Sequence, residues 1–177
     1  MNNDLLNDAQ LWRGRLDAYG AATAAPDHLS ALLGDDDQAI SSALYYLDSA
    51  IVHQSTVSHA ATPVLEFLVA ALKSEKIMNE KARTGVIEFL AYLGESLRGA
   101  SGEDYGDVEI DQELYNEFLA IKDPSEFEEF MEGEGLDLYE QVFTIAYKEC
   151  AAKKDEVIGA LAEVSGAENV IAEWERV

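Results

Sequence analysis

Apolar residues recur at helical spacing along nearly the whole chain, and that periodicity constrains the fold more than any other feature. Leu5, Ala9, Trp12, Leu16 and Tyr19 fall on one helical face. Ile40, Ala43, Leu44, Leu47 and Ile51 form a second stripe, and Leu65, Leu68 and Leu72 a third within Val57 to Lys73. Val86, Leu90, Leu93 and Leu97, widened by Ile87 and Phe89, mark a helix over 79–98. Leu114, Phe118 and Ile121 mark another, followed by Leu138, Val142, Ile145 and Ala146, then Val157, Leu161 and Val164, then Val170, Ile171 and Trp174.

Start and stop signals divide these stripes. Pro26 suits the first position of a short helix covering His28 to Leu33. Asp35-Asp36-Asp37 offers a cap and negative charge at the positive end of the next helix. Pro63 either kinks its helix or marks its true first turn. Gly99-Ala100-Ser101-Gly102 ends the helix over 79–98. Asp123-Pro124-Ser125-Glu126 combines an Asp cap, Pro at the first helical position and Glu three residues after the cap. The short helix it opens carries Phe127, Phe130 and Met131 and breaks at Gly133 and Gly135. Ser165-Gly166-Ala167-Glu168 is expected to cap the last helix. No long alternation of apolar and polar residues occurs, and neither Asn-Gly nor Asp-Gly is present. The expectation is an all-α domain over 1–177, about eight helices stacked as antiparallel pairs with little or no strand.

Charge narrows the function. The 177 residues include 35 Asp and Glu against 12 Lys and Arg, a formal charge of −23. Such a surface repels phosphate backbones and anionic bilayers, so neither nucleic acid nor membrane is an expected partner. A basic protein would be attracted and its association accelerated. The most apolar stretch, Ala60 to Leu72, is too short to span a bilayer and contains Pro63 and Glu66. The start, Met1-Asn2-Asn3-Asp4, has neither the basic residues nor the apolar run of a secretory signal. Cys150 is the single cysteine, which excludes an internal disulfide. These features make the cytoplasm the expected location.

Motifs for chemistry are missing. His53 and His59 are six residues apart across a turn, not the i, i+4 spacing of a helical metal pair. The expectation is that His53 packs or caps the turn. A hydrolytic or metal role would need His53 and His59 in one pocket. Gly-rich phosphate cradles and a Gly-x-Ser-x-Gly elbow are absent. Cys150 follows Glu149 within a helical stretch, a poor setting for a lowered thiol pKa. The loop from Glu103 to Ile110 lacks the ligand order of an EF-hand and reads as a solvated acidic loop. Neither cofactor nor metal is expected.

The acidity is uneven. Between Glu103 and Asp137 there are fourteen Asp and Glu against Lys122 alone, a net −13. Candidate partner-binding residues are therefore Glu103, Asp104, Asp107, Glu109, Asp111, Glu117, Glu128, Glu129 and Glu132, with Tyr105 and Tyr115 as aromatic anchors. The competing arrangement turns the aromatics to the core and the carboxylates to water, and the Leu114, Phe118, Ile121 spacing favours that for Phe118.

One part of the chain resembles a known family. The residues are Ala43-Leu44-Tyr45-Tyr46-Leu47, His53-Gln54-Ser55-Thr56, Ala60-Ala61-Thr62-Pro63, Leu65-Glu66-Phe67-Leu68 and Val86-Ile87-Glu88-Phe89-Leu90. This centre, about 35–98, resembles small bacterial HEAT-like helical repeat proteins. The second half does not repeat the His-Gln turn. The resemblance implies a HEAT-like α-α superhelix, a right-handed stack of helix pairs with a concave partner-binding face; it does not imply an enzyme activity. The expected function is a non-enzymatic protein-binding module. Most concretely, it is an acidic immunity or inhibitor protein neutralising a basic partner such as a nuclease toxin. The alternative is a self-associating scaffold whose acidity serves solubility only.

Overall fold

The computed structural model describes residues 4–100 and 108–177. Helices α1 (Asp4–Asn7) and α2 (Ala9–Arg13) lead into strands β1 (Leu16–Asp17) and β2 (Gly20–Ala21). Helices α3 (Ala25–Ala31) and α4 (Asp37–Tyr46) follow, and α4 runs on into a π-helical turn, Leu47–Ile51. Strands β3 (Val52–His53) and β4 (Thr56–Val57) make a second hairpin. The rest is helical: α5 (Ala61–Lys73), α6 (Glu80–Ala100), α7 (Gln112–Ala120), α8 (Pro124–Glu132), α9 (Gly135–Ala152), α10 (Lys154–Leu161) and α11 (Glu168–Trp174). The described residues are thus mainly α with two small β-hairpins, where an all-α chain of about eight helices was expected.

Local chemistry explains most boundaries. The Asp36 carboxylate accepts from Gln38 and Ala39 N–H, so the middle of the three aspartates is the cap of α4. Asn79 does the same for α6 through Lys81 and Ala82 N–H. Asp123 caps α8 through Ser125 and Glu126 N–H. Glu126 reaches back one residue further than a capping box requires, accepting from Lys122 N–H at 2.6 Å. Pro63 is the third residue of α5, inside the first turn, where no intrahelical N–H is lost.

Several expectations are corrected. The stripe from Leu5 to Tyr19 is not one helix. The chain leaves α2 at Gly14 and folds into a hairpin with Leu16 opposite Ala21 and Asp17 opposite Gly20. Gly20 takes φ +133, a backbone conformation that side chains disfavour. Tyr19 is left 62% exposed at the hairpin tip instead of facing the core. Val57 lies in β4, so α5 starts four residues later than its stripe implied. Helix α11 begins after Ala167 without a side-chain cap, and Gly166 at φ +84 makes the turn.

Two clusters of buried side chains hold the elements together. The larger runs from Trp12 to Trp174 and takes in the buried faces of α3, α4, α5, α6, α10 and α11. The smaller joins Leu16 to Leu114, Phe118, Phe130, Leu138 and Val142. Helix α4 packs on α6, α6 on α11, and α5 on α9 and α10. The α6–α11 contact is close because Gly94 has no side chain: a Cβ there would stand 3.0 Å from the Trp174 indole nitrogen. That nitrogen donates to Leu90 O at 2.8 Å. Trp174→Ala removes a fully buried ring and this hydrogen bond together. The expected cost is about 3–5 kcal/mol in the denaturant unfolding free energy followed by circular dichroism.

Candidate functional site

The acidic segment folds as α7, α8 and the start of α9. Glu103, Asp104, Tyr105 and Asp107 lie outside the described residues. Asp111 is the cap of α7, accepting from Glu113 and Leu114 N–H, while its own N–H donates to Gln141 Oε1 of α9. Glu109, Glu117, Glu128, Glu129 and Glu132 are all exposed. Phe118 and Phe130 are buried, with ring centroids 6.5 Å apart. Tyr115 is half-buried, and its hydroxyl donates to Gly14 O at 2.7 Å. The structure therefore uses Tyr115 to tie α7 to the end of α2. The side chains expected to meet a partner here divide into exposed glutamates and inward aromatics.

Between α7 and α8 runs a groove of about 460 Å³, lined by Glu117, Glu126 and Glu129 around Ala120, Ile121 and Phe130. A carboxylate rim over an apolar floor suits the two halves of a lysine or arginine side chain, whose stem is apolar and whose end is charged. The neighbouring cations lie elsewhere: Arg13 and Lys122 line a separate cleft with Ala21 and Thr23, and Arg13 donates to Leu119 O at the end of α7. Asp123 is held below the usual carboxylate range by hydrogen bonds from Ser125 and Glu126, so the cap keeps its charge in mild acid.

The first hairpin is fixed by a buried carboxylate that the periodicity gave no reason to notice. Asp17 is 5% exposed. Its Oδ2 accepts from the Tyr46 hydroxyl at 2.7 Å and its Oδ1 from Tyr19 N–H at 2.8 Å. Burial raises its pKa against these hydrogen bonds, and burial, followed by the Asp17 charge, drives the Tyr46 hydroxyl far up. His28 stacks on Tyr46 with centroids 4.4 Å apart. The signal available in the sequence was Asp17 three residues before Gly20, a turn-like spacing hidden inside a helical stripe.

The histidines separate. His53 sits beside the second hairpin, its Nδ1 2.9 Å from Ser49 O and its ring edge-on to Tyr19 at 5.9 Å. His59 is buried and lines a cleft of about 390 Å³ with Arg15, Gln10, Gln112 and Tyr115, and His53 is not part of that cleft. Arg15 pairs with Glu149 at 3.5 Å and lies near His59 O at the same distance. Among the described residues no three His, Cys, Asp or Glu side chains converge as a metal site needs. Cys150 is fully buried, 3.7 Å from Thr62 Oγ1, and burial pushes its thiol up to about 12. Such a thiol stays protonated and unreactive at neutral pH. Among the described residues no helix is long and apolar enough to cross a membrane.

No protein-family model, curated protein or solved structure matches this chain.

Burial, and then the nearby Arg15 charge, push His59 down to about 3 from its ordinary 6.5. The folded state thus holds His59 neutral where the unfolded chain would protonate it. Stability from this group is complete above pH 6.5 and is lost as the pH falls toward 3. Relative to His59→Phe, the wild type should lose about 2 kcal/mol between pH 7 and pH 5, read from paired denaturation curves. Parallel curves for the two proteins would show that His59 does not titrate differently on unfolding.

Proposed function

We propose that the chain is a non-catalytic binding module for a basic protein, most concretely an immunity or inhibitor protein that neutralises a cationic toxin such as a nuclease. The observation that carries this reading is the α7–α8 groove, with Glu117, Glu126 and Glu129 around an apolar floor and Lys122 turned to a different cleft. The exposed Glu109, Glu128, Glu129 and Glu132 extend the same field. Long-range attraction from a chain of net −23 speeds the encounter, and the groove gives it a landing point. A HEAT-like stacking of α4, α5 and α6 is part of this proposal. It is supported by the direct packing of α4 on α6, two helices apart in the chain.

The consequence lies in kinetics more than in affinity. Neutralising the groove with Glu117→Gln, Glu126→Gln and Glu129→Gln should slow association with a cationic nuclease domain about tenfold at low salt. The fold should be retained, since the amide oxygen of Glu126→Gln can still accept from Lys122 N–H and none of the three glutamates has an ion-pair partner among the described residues. Stopped-flow or surface-plasmon measurements at two salt concentrations provide the check. Binding to the wild type that does not respond to salt would overturn the reading.

A further inference from the structure

The two hairpin tips meet at one place on the surface. Tyr19 stands at the tip of β1–β2, and its ring meets His53 of β3 edge-on at 5.9 Å. Ala18 N–H donates to Ala50 O, at the root of the second hairpin. Tyr19 is 62% exposed, yet its main chain is pinned through Asp17 Oδ1. The second tip, Gln54 and Ser55, is also exposed and takes left-handed φ values of 50° and 67° at both residues. No glycine or asparagine relieves that conformation, and the turn is held by Ser55 N–H donating to the Tyr92 hydroxyl of α6 at 2.9 Å. The fold thus accepts backbone strain to hold two solvent-facing tips side by side.

An acidic element packs against each hairpin. Phe127 of α8 lies over Gly20, 3.8 Å from where a Cβ would stand, which sets the acidic helix against the first hairpin. At the second hairpin, Asp48 of the π-helical turn faces Glu88, one turn before Tyr92 on α6. Their repulsion adds to burial in raising the Asp48 pKa, and neither has a cation partner among the described residues. An exposed aromatic face held in place next to a turn that carries an unneutralised carboxylate is an arrangement that receives a guanidinium: Asp48 adjoins Ser49, whose carbonyl meets the His53 ring that Tyr19 touches.

We propose that the paired hairpin tips dock an arginine side chain of the basic partner, with the Tyr19 ring as platform and Asp48 and Glu88 as counter-charges. This rests on the reading of the chain as a binder of basic protein, and adds arginine selectivity and a second contact beyond the α7–α8 groove. A flat guanidinium stacks on a tyrosine face while remaining hydrated at its edges, whereas a compact ammonium gains less.

Hexa-arginine and hexa-lysine peptides titrated into the full chain test it, read by calorimetry and by the Tyr19 ring resonances. Hexa-arginine should bind more tightly, and Tyr19→Ala should weaken it about two- to fivefold and abolish the preference over hexa-lysine. Asp48→Asn with Glu88→Gln should weaken both peptides. Tyr45→Ala, which removes another exposed ring at 72%, should change neither. Unaltered hexa-arginine binding by Tyr19→Ala, or an equal loss from Tyr45→Ala, overturns the hairpin site and leaves the groove reading standing. If Tyr19→Ala weakens binding but the groove substitutions do not, the hairpin site stands and the groove reading falls. Absence of salt-sensitive binding to the wild type overturns both.

Discussion

A carboxylate taken out of water is costly unless its lone pairs are filled, and leaving one partner unmade costs more than making the pair gains. Asp17 is placed under that constraint, and much of the architecture follows from satisfying it. Tyr46, at the end of α4, must bring its hydroxyl to Oδ2, while the hairpin must fold back so that Tyr19 N–H reaches Oδ1. The strand that carries Asp17 also carries Leu16, whose side chain enters the smaller cluster and whose carbonyl accepts from Ala60 N–H at the start of α5. Two residues therefore link α4, α5 and the acidic helices. Tyr139 of α9 is near enough for the Asp17 charge to raise its pKa, after burial. The hairpin is small, but with α9 it stands where the two clusters meet: Leu16 and Val142 belong to the smaller, Ala22 and Cys150 to the larger.

The helical part of this arrangement was legible because it is local. Stripes, an aspartate at Asp36 or Asp123, and glycines at breaks report on a few consecutive residues, and the structure places α4, α6 and α8 close to where those signals fall. The hairpins were not legible. Strands of two residues show no alternation, and the second turn uses Gln54 and Ser55 where a sequence reading looks for Asn-Gly. Position 19 was misplaced for the same reason: a period of 3.6 fits Tyr19 to the stripe of Trp12 and Leu16 until the chain turns at Gly14.

The surface divides along similar lines. The exposed glutamates of α7 and α8 follow from amphipathic spacing, since a helix that buries Phe118 or Phe130 must turn its carboxylates outward. Contacts between distant residues do not follow from spacing. Asp17 with Tyr46, Arg15 with Glu149, and Tyr115 with Gly14 are side-chain meetings that only tertiary packing creates. Tyr115 shows the point best. Its neighbours in sequence mark it as an anchor for a partner, and its hydroxyl instead joins two segments of its own chain.

The distribution of tryptophan has a spectroscopic consequence. The chain has two, Trp12 and Trp174, and both are buried in the larger cluster. The smaller cluster is built from phenylalanine, tyrosine and aliphatic residues. Indole emission therefore reports on the larger cluster from two places, α2 through Trp12 and α11 through Trp174, and Trp12 lies next to Arg13 and Gly14, which meet α7. A sub-global opening of α7 and α8, the kind of event through which a binding surface adapts, would be followed by amide exchange, with Trp174, bonded to Leu90 O of α6, as the internal sign that the larger cluster stays closed.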